Sequence, residues 1–242
     1  MILAASLALA ACPCEGFRVT NLGAGRSAFT RLALVKDLDG AFYPELTLGG
    51  QTWAGRFGFA AELAGTAGFG ENWEGYGLGN LILDSRFLVD RGRRHGLGLR
   101  VKVPAGGWLA PESPVTWWGT VPEATVAFLG AAVAYEGSAW RLGWHAHAGW
   151  HAGLYWGTGW GPDDIDAAAA IAWVQPVAGD WSMVSEFEAA WGMSPLHLRA
   201  LARYAQPGVG PRWTVDAGLA APLLTIWADP TLQVIAQVRH SF

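Results

Sequence analysis

Along most of the chain apolar and polar side chains alternate with a period of two, and Gly, Pro, Asn and Asp break the alternation at short intervals. In WRLGWHAHAGWHAG, residues 140–153, one set of alternate positions holds Trp140, Leu142, Trp144, Ala146, Ala148 and Trp150, and the other holds Arg141, His145, His147 and His151. A strand points successive side chains to opposite faces, so this stretch presents one apolar face and one polar face. A helix would scatter the three histidines around its axis. The same pattern predicts twelve strands, at 29–36, 41–48, 52–63, 78–89, 96–104, 121–135, 139–151, 165–176, 181–192, 196–205, 211–220 and 231–242. Within the eighth, DDIDAAAAIAWVQP has the propensity of an Asp-capped helix. It is read as a strand because the sheet inferred below needs one there.

The connections alternate in length. GGQ, RGRRHG, EGS, AGD and QPGVG are short, as is DLDG, whereas GTAGFGENWEGYG, residues 105–120, AGLYWGTGWGPDD and residues 221–230 are long. Composition gives this pattern its meaning: 52% of residues are hydrophobic and 15% charged, against roughly 25% charged in soluble domains. No apolar run reaches the ~18 to 20 residues of a membrane helix. A membrane protein without such helices must be a closed barrel, because backbone groups in lipid need partners within the protein. The 33 glycines and 15 tryptophans fit, since barrels place small residues in lumens and turns and Trp at the bilayer interfaces. The expected fold is therefore all-β, an antiparallel up-and-down transmembrane barrel of 12 strands in the outer membrane of a Gram-negative bacterium. Its brief turns and both termini lie on one side and its long loops on the other.

Trp53, Trp140, Trp181 and Trp213 fall at predicted short-turn ends, and Trp150 and Trp191 at opposite ends. Ten residues of tilted strand climb about 25 Å, the height of an outer-membrane apolar band. With Phe242 these tryptophans are the expected interface aromatics. A soluble β-sandwich is the competing fold, because alternation alone does not say which face is inside.

The first residues, MILAASLALAACPCEG, read as an export signal over 1–11, with Ala8-Leu9-Ala10 as a cleavage site and Leu9 to Cys12 resembling a bacterial lipobox, although no Lys or Arg precedes the apolar run. Residues 12–28 are expected to be a plug or a lipidated tail, and 29–242 the barrel. Cys12 and Cys14 sit too close together to staple a fold. Net charge is −4 with basic residues scattered singly, so no nucleic-acid partner is expected.

In TLQVIAQVRHSF one face carries Leu232, Val234, Ala236, Val238, His240 and Phe242, and the other Gln233, Gln237, Arg239 and Ser241. This resembles the carboxy-terminal signature that the barrel-insertion machinery of Gram-negative bacteria reads. Residues 77–106, GLGNLILDSRFLVDRGRRHGLGLRVKVPAG, carry Gly77-Leu78-Gly79-Asn80, Arg86-Phe87 and Pro104-Ala105-Gly106. They resemble a hairpin of the transporter-type outer-membrane family named for the meta-pathway of phenol degradation, with Asn80 in place of an acid and Ala105 in place of a threonine. Trp213 to Leu223, with Asp216-Ala217-Gly218, is similar to that family's penultimate strand. The resemblance implies passage of small, often hydrophobic compounds and no catalytic residues.

With the Trp and Leu faces turned to lipid, the opposite faces collect the strand charges: Arg56, Glu62, Asp84, Arg86, Arg100, Lys102, Arg141 with His145, His147 and His151, Asp166, Glu186, Glu188, His197, Arg199, Arg203, Arg212, Asp216 and Arg239. A charge facing lipid at mid-membrane costs ~2–4 kcal/mol, so this segregation supports the inside-outside assignment. Basic residues outnumber acidic ones in the set, which favours anionic or polarisable solutes. Counting from the EGS turn puts His145 and His147 beside Gly130 and Phe128, with Ala168 and Ala170 on the other side. None of these is a ligand, and His151 lies ~13 Å beyond His147. No metal site and no cofactor are expected. Catalysis would need a nucleophile and a base on one lipid-accessible face. Outward Ser85 and Ser185 have no outward His on a neighbouring strand, which leaves a loop pair of Ser194 and His197. The function expected is a non-catalytic channel or transporter for small solutes, in contact with outer-membrane lipid. The alternatives are a lipid-processing hydrolase and a structural or adhesion barrel with a plugged lumen.

Overall fold

The computed structural model describes residues 26–36, 42–70, 73–90, 95–105, 127–155, 159–190, 196–207, 212–224 and 232–242. They form 12 strands: β1 (Ser27–Lys36), β2 (Phe42–Ala54), β3 (Phe57–Gly70), β4 (Trp73–Leu88), β5 (His95–Pro104), β6 (Ala127–Ala139), β7 (Leu142–Tyr155), β8 (Gly159–Ala178), β9 (Trp181–Ala190), β10 (Leu196–Ala205), β11 (Arg212–Leu224) and β12 (Leu232–Ser241). Each pairs antiparallel with its sequence neighbours. β1 pairs with β12, from Ser27 opposite Ser241 to Lys36 opposite Leu232, and closes the barrel. Closure leaves no strand edge, and among the described residues no helix is long and apolar enough to cross a membrane. The helical propensity around residues 163–176 is overridden, because β8 pairs along that stretch with both β7 and β9.

The faces are sorted inside out. Outward positions carry large apolar side chains, such as Leu48, Phe59, Leu97 and Val133, the last 66% exposed. Inward positions bury Arg31, Glu45, Asn80, Arg100, Lys102, Glu136, His145, Glu186, Glu188 and Arg199. A soluble sandwich would bury the first set, so the closed sheet overturns that alternative.

Two turns lie elsewhere than expected. β2 runs straight through Gly49-Gly50-Gln51 and turns at Gly55 and Arg56, with Ala54 opposite Phe57. β6 runs through Glu136-Gly137-Ser138 and turns at Trp140 and Arg141, with Ala139 opposite Leu142. Gly55 supplies the positive φ of the first turn (63°), while in the second Trp140 itself adopts φ 54°. The AGD turn is where the sequence puts it, at Gly179 and Asp180. Two of the long connections are also shorter than expected, because pairing continues into them. Gly70 pairs with Trp73 and Tyr155 with Gly159, so β3 with β4 and β7 with β8 extend as hairpins past the belt.

At Gly149 and Gly218 neighbouring strands approach closely. A Cβ at Gly149 would collide with the carbonyl oxygen of Ala131, and one at Gly218 with that of Ala200. Only a residue without Cβ fits so close an approach of the neighbouring strand.

Candidate functional site

Among the described residues, three groups of charged side chains occupy the interior. The first spans β4 to β7. Arg100 donates to both carboxylate oxygens of Asp84, at 2.9 and 3.1 Å. Arg86 lies between Asp84 and Glu136, at 3.5 and 3.4 Å. Glu136 lies 3.2 Å from His145 Nδ1, and His145 Nε2 lies 3.3 Å from His147 Nδ1. These are side chains at alternate positions of adjacent strands, where Asp84 is opposite Arg100 and Glu136 opposite His145. The alternation that segregates them from lipid thus also places opposite charges side by side.

The second group is on β9, β10 and β11. Arg199 Nη1 donates to Glu186 at 2.5 Å and to Glu188 at 2.9 Å, and all three side chains are almost wholly buried. Arg203 grips Asp216 with two bonds, at 2.6 and 3.0 Å. The third group closes the seam: Arg31 Nη2 donates to Thr47 at 3.0 Å and lies 4.0 Å from Glu45. Pairing of this kind offsets the desolvation cost that an isolated buried charge would carry, without adding much net stability. Between the first and third groups is a cavity of about 30 Å³, lined among others by Ser27, Phe29, Glu62, Asp84, Arg86 and Arg239. That is room for about two water molecules.

Of the residues expected inside, Glu62, Asp84, Arg86, Arg100, Lys102, His145, His147, Glu186, Glu188, Arg199, Arg203, Asp216 and Arg239 occupy interior positions. Arg56 does not, because it is an exposed turn residue. Arg141 and Arg212 lie at the short-turn rim, Arg212 exposed and Arg141 bonded to Gln175 at 2.8 Å with its guanidinium 4.9 Å from the Trp140 ring. The side chains of His151, Asp166 and His197 lie outside the described residues, as do Ser194 and Trp191. His145 and His147 sit opposite Glu136 and Ala134, not Gly130 and Phe128, because the β6–β7 turn comes later in the chain; on the other side they face Ala170 and Ala168. Among the described residues, no three His, Cys, Asp or Glu side chains converge as a metal ion would require.

Sequence reasoning missed Arg31, Glu45, Thr47 and Glu136. The first three alternate with Leu32, Leu46 and Leu48 and were visible as a pattern. Glu136 was hidden by its assignment to a turn. With these included and the three rim or turn arginines removed, the described interior no longer has a clear basic excess, since Glu45 and Glu136 now offset Arg31 and Arg86.

The aromatic residues are sorted by the same faces. Trp140, Trp150, Trp181, Trp213 and Phe242 are exposed on the outer side. Trp181 packs on Tyr204 and Trp213 on His240 near the short-turn end, and His240 on Phe242. Trp53 departs from expectation. The two-residue turn at 55–56 pairs Ala54 with Phe57 on the outside, which puts Trp53 and its partner Gly58 on the inside. The Trp53 ring lies over Gly58, where a Cβ would have to sit 2.8 Å away.

No family pattern matches the sequence, and no curated protein matches it either. Solved structures do resemble it. An outer membrane channel from Pseudomonas putida F1 superposes with a TM-score of 0.58 at 10% identity, over 94% of this chain and 99% of that one. The translocator domain of the autotransporter NalP from Neisseria meningitidis gives 0.50 at 12% identity, over 93% and 90%. At such identities the likeness is one of fold, and the fold shared is the closed β-barrel of outer-membrane proteins.

Proposed function

We propose that the chain is an outer-membrane channel for small solutes, without chemistry of its own, whose lumen is narrowed by ion pairs. The observation that carries this reading is a ladder of buried charges inside a closed barrel with an apolar exterior. A purely structural filling would be served as well or better by apolar side chains, because buried ion pairs contribute little net stability. A charged, hydratable interior suits passage of polar groups. The cargo class we assign is small organic compounds, as the resemblance at 77–106 implies. In that hairpin Asn80 is opposite Pro104, and Arg86 points inward while Phe87 points outward. The carboxy-terminal strand is the segment offered to the insertion machinery, with Phe242 at its outer end and its N–H bonded to the Arg26 carbonyl at 2.8 Å.

Planar-bilayer recording tests this reading. The native barrel is expected to show small unit conductance, and the Asp84→Ala, Arg100→Ala double variant, which removes a bonded pair from the constriction, to show a clearly larger one. The cavity of about 30 Å³ favours a second reading, a barrel whose ladder plugs it. Folded barrels that never conduct, with or without the double substitution, and that take up no solute in liposome swelling would establish that reading and end the first. A hydrolase would reveal itself by cleaving phospholipid or lipid A in detergent.

A further inference from the structure

We propose that the outer surface at the short-turn edge of β6, β7 and β8 binds the phosphate of an anionic glycerophospholipid, phosphatidylglycerol above all, in the periplasmic leaflet that the short turns of such a barrel face. The site consists of Trp140, Arg141, Trp173 and Gln175. Trp173 is opposite Leu142, and Gln175 is opposite Met183, which is 51% exposed, so both belong to outward rows. Trp140 is 83% exposed and meets Trp173 edge-on, with ring centroids 5.3 Å apart. Arg141 lies against this pair: its guanidinium is 4.9 Å from the centre of the Trp140 ring, and Nη1 donates to Gln175 Oε1 at 2.8 Å. A guanidinium on the lipid side of the wall is tolerable only at headgroup depth, and the two indoles suit that depth.

The backbone is strained to present this ring. The turns at 55–56 and 179–180 begin with Gly55 and Gly179, at φ 63° and 53°, whereas the turn at 140–141 begins with Trp140 at φ 54°. That left-handed conformation is open to glycine and unfavourable for an aromatic residue. A third glycine would close the hairpin with less strain, so the indole is kept for what it contacts. The charge beside it is uncompensated. Among the described residues Arg141 has no carboxylate partner, whereas Arg86, Arg100, Arg199 and Arg203 inside the barrel each have at least one. Asp180, in the neighbouring turn, is exposed and makes no ion pair with it. Gln175 is engaged at both ends, since its Oε1 takes the arginine and its Nε2 donates to the Pro176 carbonyl at 3.1 Å. The patch therefore offers a phosphate the remaining donors of a planar fork. It offers a headgroup ammonium no carboxylate within ion-pair distance of Arg141, which favours phosphatidylglycerol over phosphatidylethanolamine. The site depends on the membrane setting and not on whether solutes pass through the lumen.

Native mass spectrometry of the full chain, released from nanodiscs that contain phosphatidylglycerol and phosphatidylethanolamine in equal amounts, tests the site. The native barrel is expected to retain phosphatidylglycerol about fivefold more than phosphatidylethanolamine. Arg141→Gln is expected to bring that ratio close to unity, and so is Trp140→Gly, which relieves the turn and should fold at least as well. Arg56→Gln removes an exposed turn arginine that follows a glycine, and it is expected to leave the ratio as it is. Heat-modifiable mobility on gels checks that each variant is folded. Equal retention of the two lipids by the native barrel overturns the assignment, as does a preference that survives either substitution at the patch. Equal falls in Arg141→Gln and Arg56→Gln overturn it as well, in favour of a diffuse attraction by every arginine on the rim.

Discussion

Arg199 shows most clearly what holds the interior together. Its guanidinium bridges Glu186 and Glu188, which are 0% and 2% exposed. Removing the cation alone would leave two carboxylates facing each other without water. Breaking a buried pair costs ~3–5 kcal/mol, whereas replacing a whole buried ionic cluster by apolar side chains of like volume is often neutral or stabilising. Arg199→Met is therefore expected to lower the urea midpoint of the detergent-folded barrel sharply, and Arg199→Met with Glu186→Leu and Glu188→Leu to restore most of it. If the single and triple variants unfold at the same urea concentration, the cluster is not held by charge pairing. The Arg203 and Asp216 pair makes an independent case, since its two short bonds predict a comparable loss for Arg203→Met. The changes at Arg199 and Arg203 need not add, because both residues are on β10 and share one lumen wall.

Among the strands, glycines act in two distinct ways that substitution can separate. Gly55 has φ 63° and nothing within 4 Å of where a Cβ would be, so its role is conformational. Asn tolerates that left-handed region, and Gly55→Asn is expected to change stability by only a few tenths of a kcal/mol. Gly218 is steric, since a Cβ there would strike the Ala200 carbonyl and the Leu201 Cα. Gly218→Ala is expected to cost ~1–3 kcal/mol by overpacking, read as a lower unfolding midpoint. Equal effects at the two positions would refute the distinction. Strand number, order and most facing directions were legible in the sequence, because period-two alternation survives wherever one face meets lipid. Turn positions were less legible. Gly49-Gly50-Gln51 and Glu136-Gly137-Ser138 have turn composition yet continue as strand: Gly49 makes room for the Phe29 ring and Gly137 for the Trp144 ring. Glycine that accommodates a neighbouring ring and glycine that turns the chain look alike in sequence, and that ambiguity misplaced Trp53, Arg56 and Glu136 together.

At the scale of the whole molecule, the outward belt orders positions by depth, and the cost of a charge should follow that order. Val133 is 66% exposed and midway along β6, while Val177 is 62% exposed and adjoins the turn at Gly179 and Asp180. In water the two would respond alike, since their exposure is nearly equal. In a bilayer an arginine at mid-depth costs ~2–4 kcal/mol and one near the interface ~0–1, because only the shallow side chain reaches water without deforming the lipid. Val133→Arg is thus expected to reduce folding into lipid vesicles severely, and Val177→Arg scarcely at all. The same pair in short-chain detergent should differ much less, since a micelle yields where a bilayer does not. Equal losses in vesicles would mean that the apolar exterior is not a membrane belt, and the inward ladder would then need another explanation than segregation from lipid. A graded loss would also locate the belt against the hairpin extensions beyond Ala152 and Thr66, which on this geometry stand outside the apolar band and should tolerate charge at either face.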